Sequence, residues 1–352
     1  MYKTASPTAA QKLLFAFSLL LCALLLCCPQ AAAQGVKNGI SLCTNTLIAS
    51  LFPFLFACDL MLHALFAAFP KLPPAAAHSA AWLMGQLGGF VAGAKALSLL
   101  YKQQRITAKD ASLYLCGCVN AGPAFAISAV GAGMFGGLRT GLCLFAALQL
   151  ASLVCFLAAR CFCERQTCAL QPTHLPAASL SDSISASLKA TANICAAAIL
   201  FSCIVSLADA ALPFLPNACK LLLSMILEVS SGCAAAAKAG GAYGLYAAAA
   251  AISFGGLSVA AQLRTILHNT EISLFPFLLS RLVHLPLSLF FLSLTLQLLP
   301  PDTPAWTTAR GDTLLPFCVN PTAALALFGM CCCALMGHRM ISPLYERHKK
   351  GV

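Results

Sequence analysis

The sequence predicts an all-α polytopic membrane protein with discontinuous and re-entrant helices. Three observations lead there. Of 352 residues, 60% are hydrophobic and only 9% are charged, whereas a soluble domain carries about 25% charged residues. Apolar runs of spanning length follow one another through short connectors, which leaves no room for a soluble catalytic domain. Polar motifs bearing glycine or proline interrupt two of these runs at mid-depth. Such breaks are tolerated only where protein or a water-filled cavity surrounds the freed backbone.

Taken in order, residues 1–35 form an N-terminal membrane span. Lys3 and Lys12 flank the apolar run 13–28. The small and polar residues 29–34 after it would equally suit a cleavable signal peptide. Residues 36–160 form a first half. It opens with a span over 39–61, then a Pro-rich connector and a glycine-rich element over 82–100. Only about 13 residues separate Trp82 from Lys95, too few for a full crossing at about 1.5 Å per residue, so this element reads as re-entrant. An aqueous loop follows, with Thr107 as helix N-cap. The run 113–137 is broken at Asn120, Gly122 and Pro123, because proline removes a donor and restricts the residue before it. The simpler reading of this break is a Pro-kinked structural helix. A span over 140–159 closes the half.

Residues 161–187 are a polar, Ser-rich connector. Residues 188–300 form a second half: a span over 190–207, a short element over 219–241 with Glu228, Ser231 and Lys238, a span over 243–263 broken at Gly255-Gly256, and a span over 274–299. Residues 301–352 hold a last span, 314–336, and a basic tail. The halves echo one another. Internal repeats with discontinuous helices are an architecture of secondary transporters.

The charge balance, 21 Lys+Arg against 10 Asp+Glu, marks cytoplasmic loops and lipid contacts and gives no sign of a nucleic-acid partner. Arg339, Arg347, Lys349 and Lys350 put the C-terminus on the cytoplasmic side. Most of the twenty cysteines lie in apolar runs, where Cys acts as a small hydrophobe. Cys161, Cys163 and Cys168 cluster near Arg160 without an acidic or histidine partner at ligand spacing, so no metal site is assigned. No nucleophile–base pair is visible, so no enzyme and no cofactor are expected.

An ionisable group at membrane depth reads as functional by default. Glu228 is either a proton, cation or substrate site, or a structural ion pair with Lys238 or Arg264. Lys95 either neutralises an anionic solute or snorkels to the interface. Asn120 and the amides before Pro123 suit a half-helix N-terminus aimed at a carboxylate. Ser258 and Gln262 share a helix face. Arg281 and His284 read as packing or interfacial groups, with His284 on an otherwise lipid-suited face.

The motifs Gly89-Phe-Val-Ala-Gly93-Ala-Lys95, Val119-Asn-Ala-Gly-Pro123, the glycine-rich 131–136, Glu228-x-x-Ser231-Gly232, Phe254-Gly-Gly256-Leu-Ser258-x-x-x-Gln262 and Arg281-Leu-x-His284 occur in that order. Together they resemble the sporulation integral membrane proteins of the YlbJ type, in the nucleoside-recognition (Gate) domain superfamily. The similarity covers roughly residues 29–291. It implies two Gate-like repeats with about eight full spans and two re-entrant elements, and it implies retention of the first span. One departure stands out: the family's first motif reads Gly-Tyr-Pro, and here Phe90-Val91 replace Tyr-Pro, so re-entry rests on glycine alone.

The resemblance implies transport of a small polar or anionic solute during sporulation, with dipicolinic acid carried toward the forespore as the family's association. The alternatives are a structural protein of spore assembly and a nucleoside-type transporter. The expected site is Gly89, Gly93, Lys95, Asn120, Gly122, Glu228, Ser231, Gly256, Ser258 and Gln262. Expected partners are the solute, membrane lipids and a coupling ion, H+ or Na+; a homo-oligomer is compatible with all of this. The location is a bacterial cell membrane, including the one around the forespore.

Overall fold

The structure is a computed structural model that describes residues 9–69, 73–163 and 179–299, all within one compact unit, Met1–Ala309. The last span, the basic tail and most of the connector lie outside the described residues. Every regular element among the described residues is helical. Six helical stretches are long and apolar enough to cross a membrane.

Helix α1 (Ala9–Cys27) is followed at once by α2 (Pro29–Leu42), a π-helical turn over Cys43–Leu47, and α3 (Ile48–Ala68). The stretch after Cys28 is therefore helix and not connector, and the span begins ten residues before the expected 39. Pro29 sits at the first helical turn, where its missing N–H is unpaired anyway. Gly35 and Gly39 let α2 press backbone to backbone on α7 (Leu180–Ala211): a Cβ on Gly35 would lie 2.7 Å from the Cys203 Cα.

Helix α4 (Pro74–Lys102) starts eight residues earlier than the expected 82 and does not run straight. Gly89 takes φ 78°, ψ −164°, a left-handed conformation that glycine alone adopts without strain. The chain reverses there. Gly85 and Gly93 would be about 12 Å apart along a helix rising 1.5 Å per residue, yet a Cβ on Gly93 would fall 3.1 Å from the Gly85 Cα. Two antiparallel arms meeting at Gly89 make α4 a hairpin and not one straight helix.

Thr107 caps α5 (Ala108–Cys118) as expected, its hydroxyl accepting from the Asp110 amide at 3.1 Å. Residues 119–122 are unwound, and a π-helical segment, Ala124–Met134, continues the broken run after Pro123. Helix α6 (Leu138–Phe162) follows. The Ser-rich run expected to be connector is instead the start of α7, because Ser179 and Asp182 close a reciprocal capping box. Next come α8 (Asn217–Leu227), a break at Glu228, and α9 (Val229–Ala239). A Cβ on Gly232 would lie 2.8 Å from the Met225 Cα, so α8 and α9 also fold back on each other. Helices α10 (Gly241–Phe254) and α11 (Gly256–Leu267) are divided at Gly255-Gly256, and α12 (Phe275–Leu298) ends the described chain.

The sidedness of α12 is that of a membrane protein. Arg281, His284, Ser288 and Thr295 are buried, while Leu278, Leu282, Val283, Phe290 and Leu298 are exposed. Polar groups face the bundle and apolar groups face outward, as hydrocarbon demands. This corrects the expectation for His284, which is fully buried.

The hairpin packing is testable. In Gly93→Ala the added methyl would start 1.9 Å from the Cys118 carbonyl oxygen, and overpacking of this kind costs about 1–3 kcal/mol. The unfolding midpoint in detergent should fall; an unchanged midpoint would contradict the arm-to-arm contact.

Candidate functional site

Four backbone breaks build the site, and they meet in pairs. In the first pair, the Gly89 reversal touches the unwound 119–122 stretch: a Cβ on Gly122 would lie 2.7 Å from the Leu87 carbonyl oxygen and 2.9 Å from the Gly89 amide. Gly93 and Gly85 close on the Cys118 carbonyl. In the second pair, Gly256 (φ 71°) approaches the other hairpin tip, where a Cβ would be 3.3 Å from the Glu228 amide and from the Ile226 and Leu227 carbonyls. Only glycine allows main chains to approach this closely.

Freed backbone groups must find partners at this depth. The orphan carbonyls at the end of α5 find them in side chains from three directions. Gln86 Nε2 donates to the Gly117 oxygen at 3.0 Å, the Ser152 hydroxyl donates to the same oxygen at 2.6 Å, and Arg281 Nη2 donates to the Cys116 oxygen at 2.7 Å. Gln149 Nε2 donates to the Ala121 oxygen at 3.2 Å. Arg281 also reaches the Ser253 carbonyl in the last turn of α10 at 3.4 Å, and Ser253 Oγ shares a 2.5 Å hydrogen bond with His284 Nδ1. A cation therefore sits against the negative ends of both broken spans.

Glu228 is 2% exposed. Its carboxylate accepts from the Ser230 and Ser231 amides at 2.8 and 2.6 Å, capping its own half-helix. Two charge-assisted bonds and the positive end of α9 hold a carboxylate where hydrocarbon alone would not. The alternative, an ion pair with Lys238 or Arg264, is not formed.

Between the tips lies a small, partly open cavity. Gly89, Gly122, Glu228 and Gln262 line it, with Ser230 beside them. Leu51, Phe54, Leu55 and Phe125 supply apolar wall. The remaining expected residues surround it without lining it. Gly93 packs the first hairpin and Gly256 the second. Asn120 is turned away, its Nδ2 donating to the Leu148 oxygen at 3.0 Å, so it ties the unwound stretch to α6. Ser231 Oγ pairs with Ser202 Oγ on α7 at 3.0 Å. Ser258 is buried on α11. Lys95 forms an ion pair with Asp59 of α3.

Asp59, Gln86, Gln149 and Ser152 went unread in the sequence. Asp59 carried a usable signal, a single carboxylate inside an apolar run. The glutamines and the serine partner carbonyls on helices distant in sequence, and nothing local marks them. Among the described residues no group of three His, Cys, Asp or Glu side chains is placed to hold a metal. Burial, helped by Asp110, pushes the Cys163 thiol up to about 12.

The chain matches no family model, and no curated protein and no solved structure is significantly similar to it.

The capping role of Glu228 predicts a stability difference. Glu228→Ala should cost about 0.5–2 kcal/mol through loss of the cap. The partly exposed Gln262 can lose its amide in Gln262→Ala for less than about 0.5 kcal/mol. Equal unfolding midpoints for the two variants would contradict the capping geometry.

Proposed function

We propose that this chain is a membrane transporter of a small polar solute, bound between the two hairpin tips. One observation carries the reading: two hairpin tips and two broken spans converge on a single cavity whose polar wall is backbone, Glu228 and Gln262. Substrate sites formed by discontinuous helices at mid-bundle are how secondary transporters bind a solute and alternate its access. A protein built only to scaffold would have no need for four breaks, each costing unpaired backbone that side chains must then satisfy.

The order of elements supports two Gate-like repeats: span α3, hairpin α4, broken span, α6, then span α7, hairpin α8–α9, broken span α10–α11, and α12. Placement in a sporulating bacterium, at the membrane around the forespore, follows from the resemblance to the YlbJ-type proteins. The same resemblance brings dipicolinic acid forward as solute. The cavity chemistry favours the nucleoside-type alternative. Among the described lining residues there is a carboxylate and an amide but no Lys or Arg, so hydroxyl and N–H donors on an apolar ring fit it better than a dianion does.

Orientation follows the short-loop excess of Lys and Arg, which sets the C-terminus in the cytoplasm together with the loop after Lys102. A phosphatase active only outside the cytoplasm should be silent when fused after Val352; activity there would overturn this orientation.

Binding and uptake by the purified chain in liposomes test the function. Uridine and dipicolinate should be compared by counterflow, with uridine the better solute. Gln262→Ala should weaken the bound solute by about threefold to tenfold, the worth of one hydrogen bond of about 0.5–1.5 kcal/mol, and Glu228→Gln should abolish counterflow. No binding or flux of any small polar solute by folded protein would leave the scaffold reading in its place.

A further inference from the structure

A second cavity, with about 350 Å³ of atom-free space, adjoins the first between α3, the second arm of α4 and α7, and shares Leu55 and Val91 with it. Its polar lining is Asp59, Lys95 and Ser187. Asp59 is 8% exposed within the apolar helix α3. One carboxylate oxygen takes the Lys95 ammonium. The other, Oδ2, has no hydrogen-bond partner among the described residues. His63 Nε2, one turn along α3, lies 3.8 Å from it. The buried hydroxyls of Ser183 and Ser187, which share one face of α7, also lack partners.

An unmet buried acceptor costs about 1–3 kcal/mol and a buried ion pair does little more than break even, so a proton or donor arriving at Asp59 Oδ2 would be favoured. Here a carboxylate oxygen is left open, inside a cavity and beside a titratable ring. The His63 side chain is 22% exposed, near the C-terminal end of α3, so it can be reached from outside the bundle while lying beside the buried acid. The other titratable groups facing this site are Lys95 from α4, the Cys58 thiol of α3, and Asp182 at the start of α7, which acts on His63 through space.

We propose that Asp59, paired with Lys95 and served by His63, is a proton-binding site that drives the first hairpin. This rests on the transporter reading for its purpose but not for its chemistry. A proton passes from water to His63 Nε2 and from there to Asp59 Oδ2, and His63 returns to its neutral form. The Asp59 carboxylate becomes a carboxylic acid, and the neutral pair becomes a site of charge +1 on Lys95. An ammonium without an anion is disfavoured at this depth, so the arm that carries it shifts toward water. Lys95 is less than two turns from Gly89, and Gly89 lines the solute cavity. Protonation at one cavity thereby opens or closes the other. A metal cation is a poorer occupant than H+: the ammonium already takes one carboxylate oxygen, and a single open oxygen with two hydroxyls falls short of a coordination shell.

Infrared difference spectroscopy on the purified full chain, between mildly alkaline and mildly acidic buffer, tests the site without any solute. Wild type should gain a carboxylic acid C=O band that Asp59→Asn lacks. Because Asp59→Asn leaves Lys95 unpaired, the neutral double variant Asp59→Asn/Lys95→Met provides a second folded background, and the band should be absent there too. No band in the wild type, or a band that persists undiminished in both variants, overturns the proposal. Liposome uptake of uridine and dipicolinate then separates this inference from the transport reading. Accumulation driven by an inward proton gradient and lost in Asp59→Asn, with counterflow retained, is the expected pattern. Accumulation unaffected by Asp59→Asn, or driven by a sodium gradient alone, removes the coupling and leaves transport standing. An Asp59 band without flux of either probe keeps the proton site and counts against the transport reading.

Discussion

A helix interrupted inside a membrane strips carbonyls and amides of their partners, and the rest of this structure follows from how those groups are satisfied. The end of α5 shows the rule most fully. Its last carbonyls receive Gln86 from the first hairpin, Ser152 from α6 and Arg281 from α12. The end of α10 draws on the same guanidinium through the Ser253 carbonyl. At the start of α9 the roles reverse, and the Glu228 carboxylate accepts the free amides. Anion at a half-helix N-terminus and cation at half-helix C-termini is the arrangement the backbone dipoles favour.

Glycine is the other half of the constraint. Polar side chains can reach the breaks only because the main chains come close, and they come close only where no Cβ intervenes. Gly85, Gly93, Gly122 and Gly256 each leave space that a methyl would overfill. The cavity between the tips is the volume that remains once these approaches are made. Its mixed wall follows directly: bare backbone with Glu228, Ser230 and Gln262 on one side, Leu and Phe from α3 on the other.

Local chemistry was readable in the sequence wherever one residue type decides the outcome. Gly89 alone turns the first hairpin, although the Tyr-Pro pair expected after it is replaced by Phe90-Val91. Thr107 caps α5, whereas the break and cap at Glu228 went unread. Long-range partnerships were not readable. Lys95 looked like a charge for a solute or for the interface, and its actual partner, Asp59, lies 36 residues away on another helix. Arg281 and His284 looked peripheral because Leu282 and Val283 beside them suit lipid; only the packing of α12 shows that the two polar residues share its inner face. Helix starts at Pro29 and Leu180 were missed for a different reason: proline and serine disfavour helix interiors but favour first turns, and which applies depends on register.

The account depends on the two hairpin tips facing each other across one cavity. Photo-crosslinking tests this most directly, with p-benzoylphenylalanine introduced in place of Phe90, which lines the cavity from the first hairpin. Irradiation of the full chain in liposomes, followed by peptide mass spectrometry, should give intramolecular crosslinks to the 228–230 tip of the second hairpin and to 122–125. Crosslinks confined to lipid or to the two arms of α4 would contradict the convergence on which the proposed site stands.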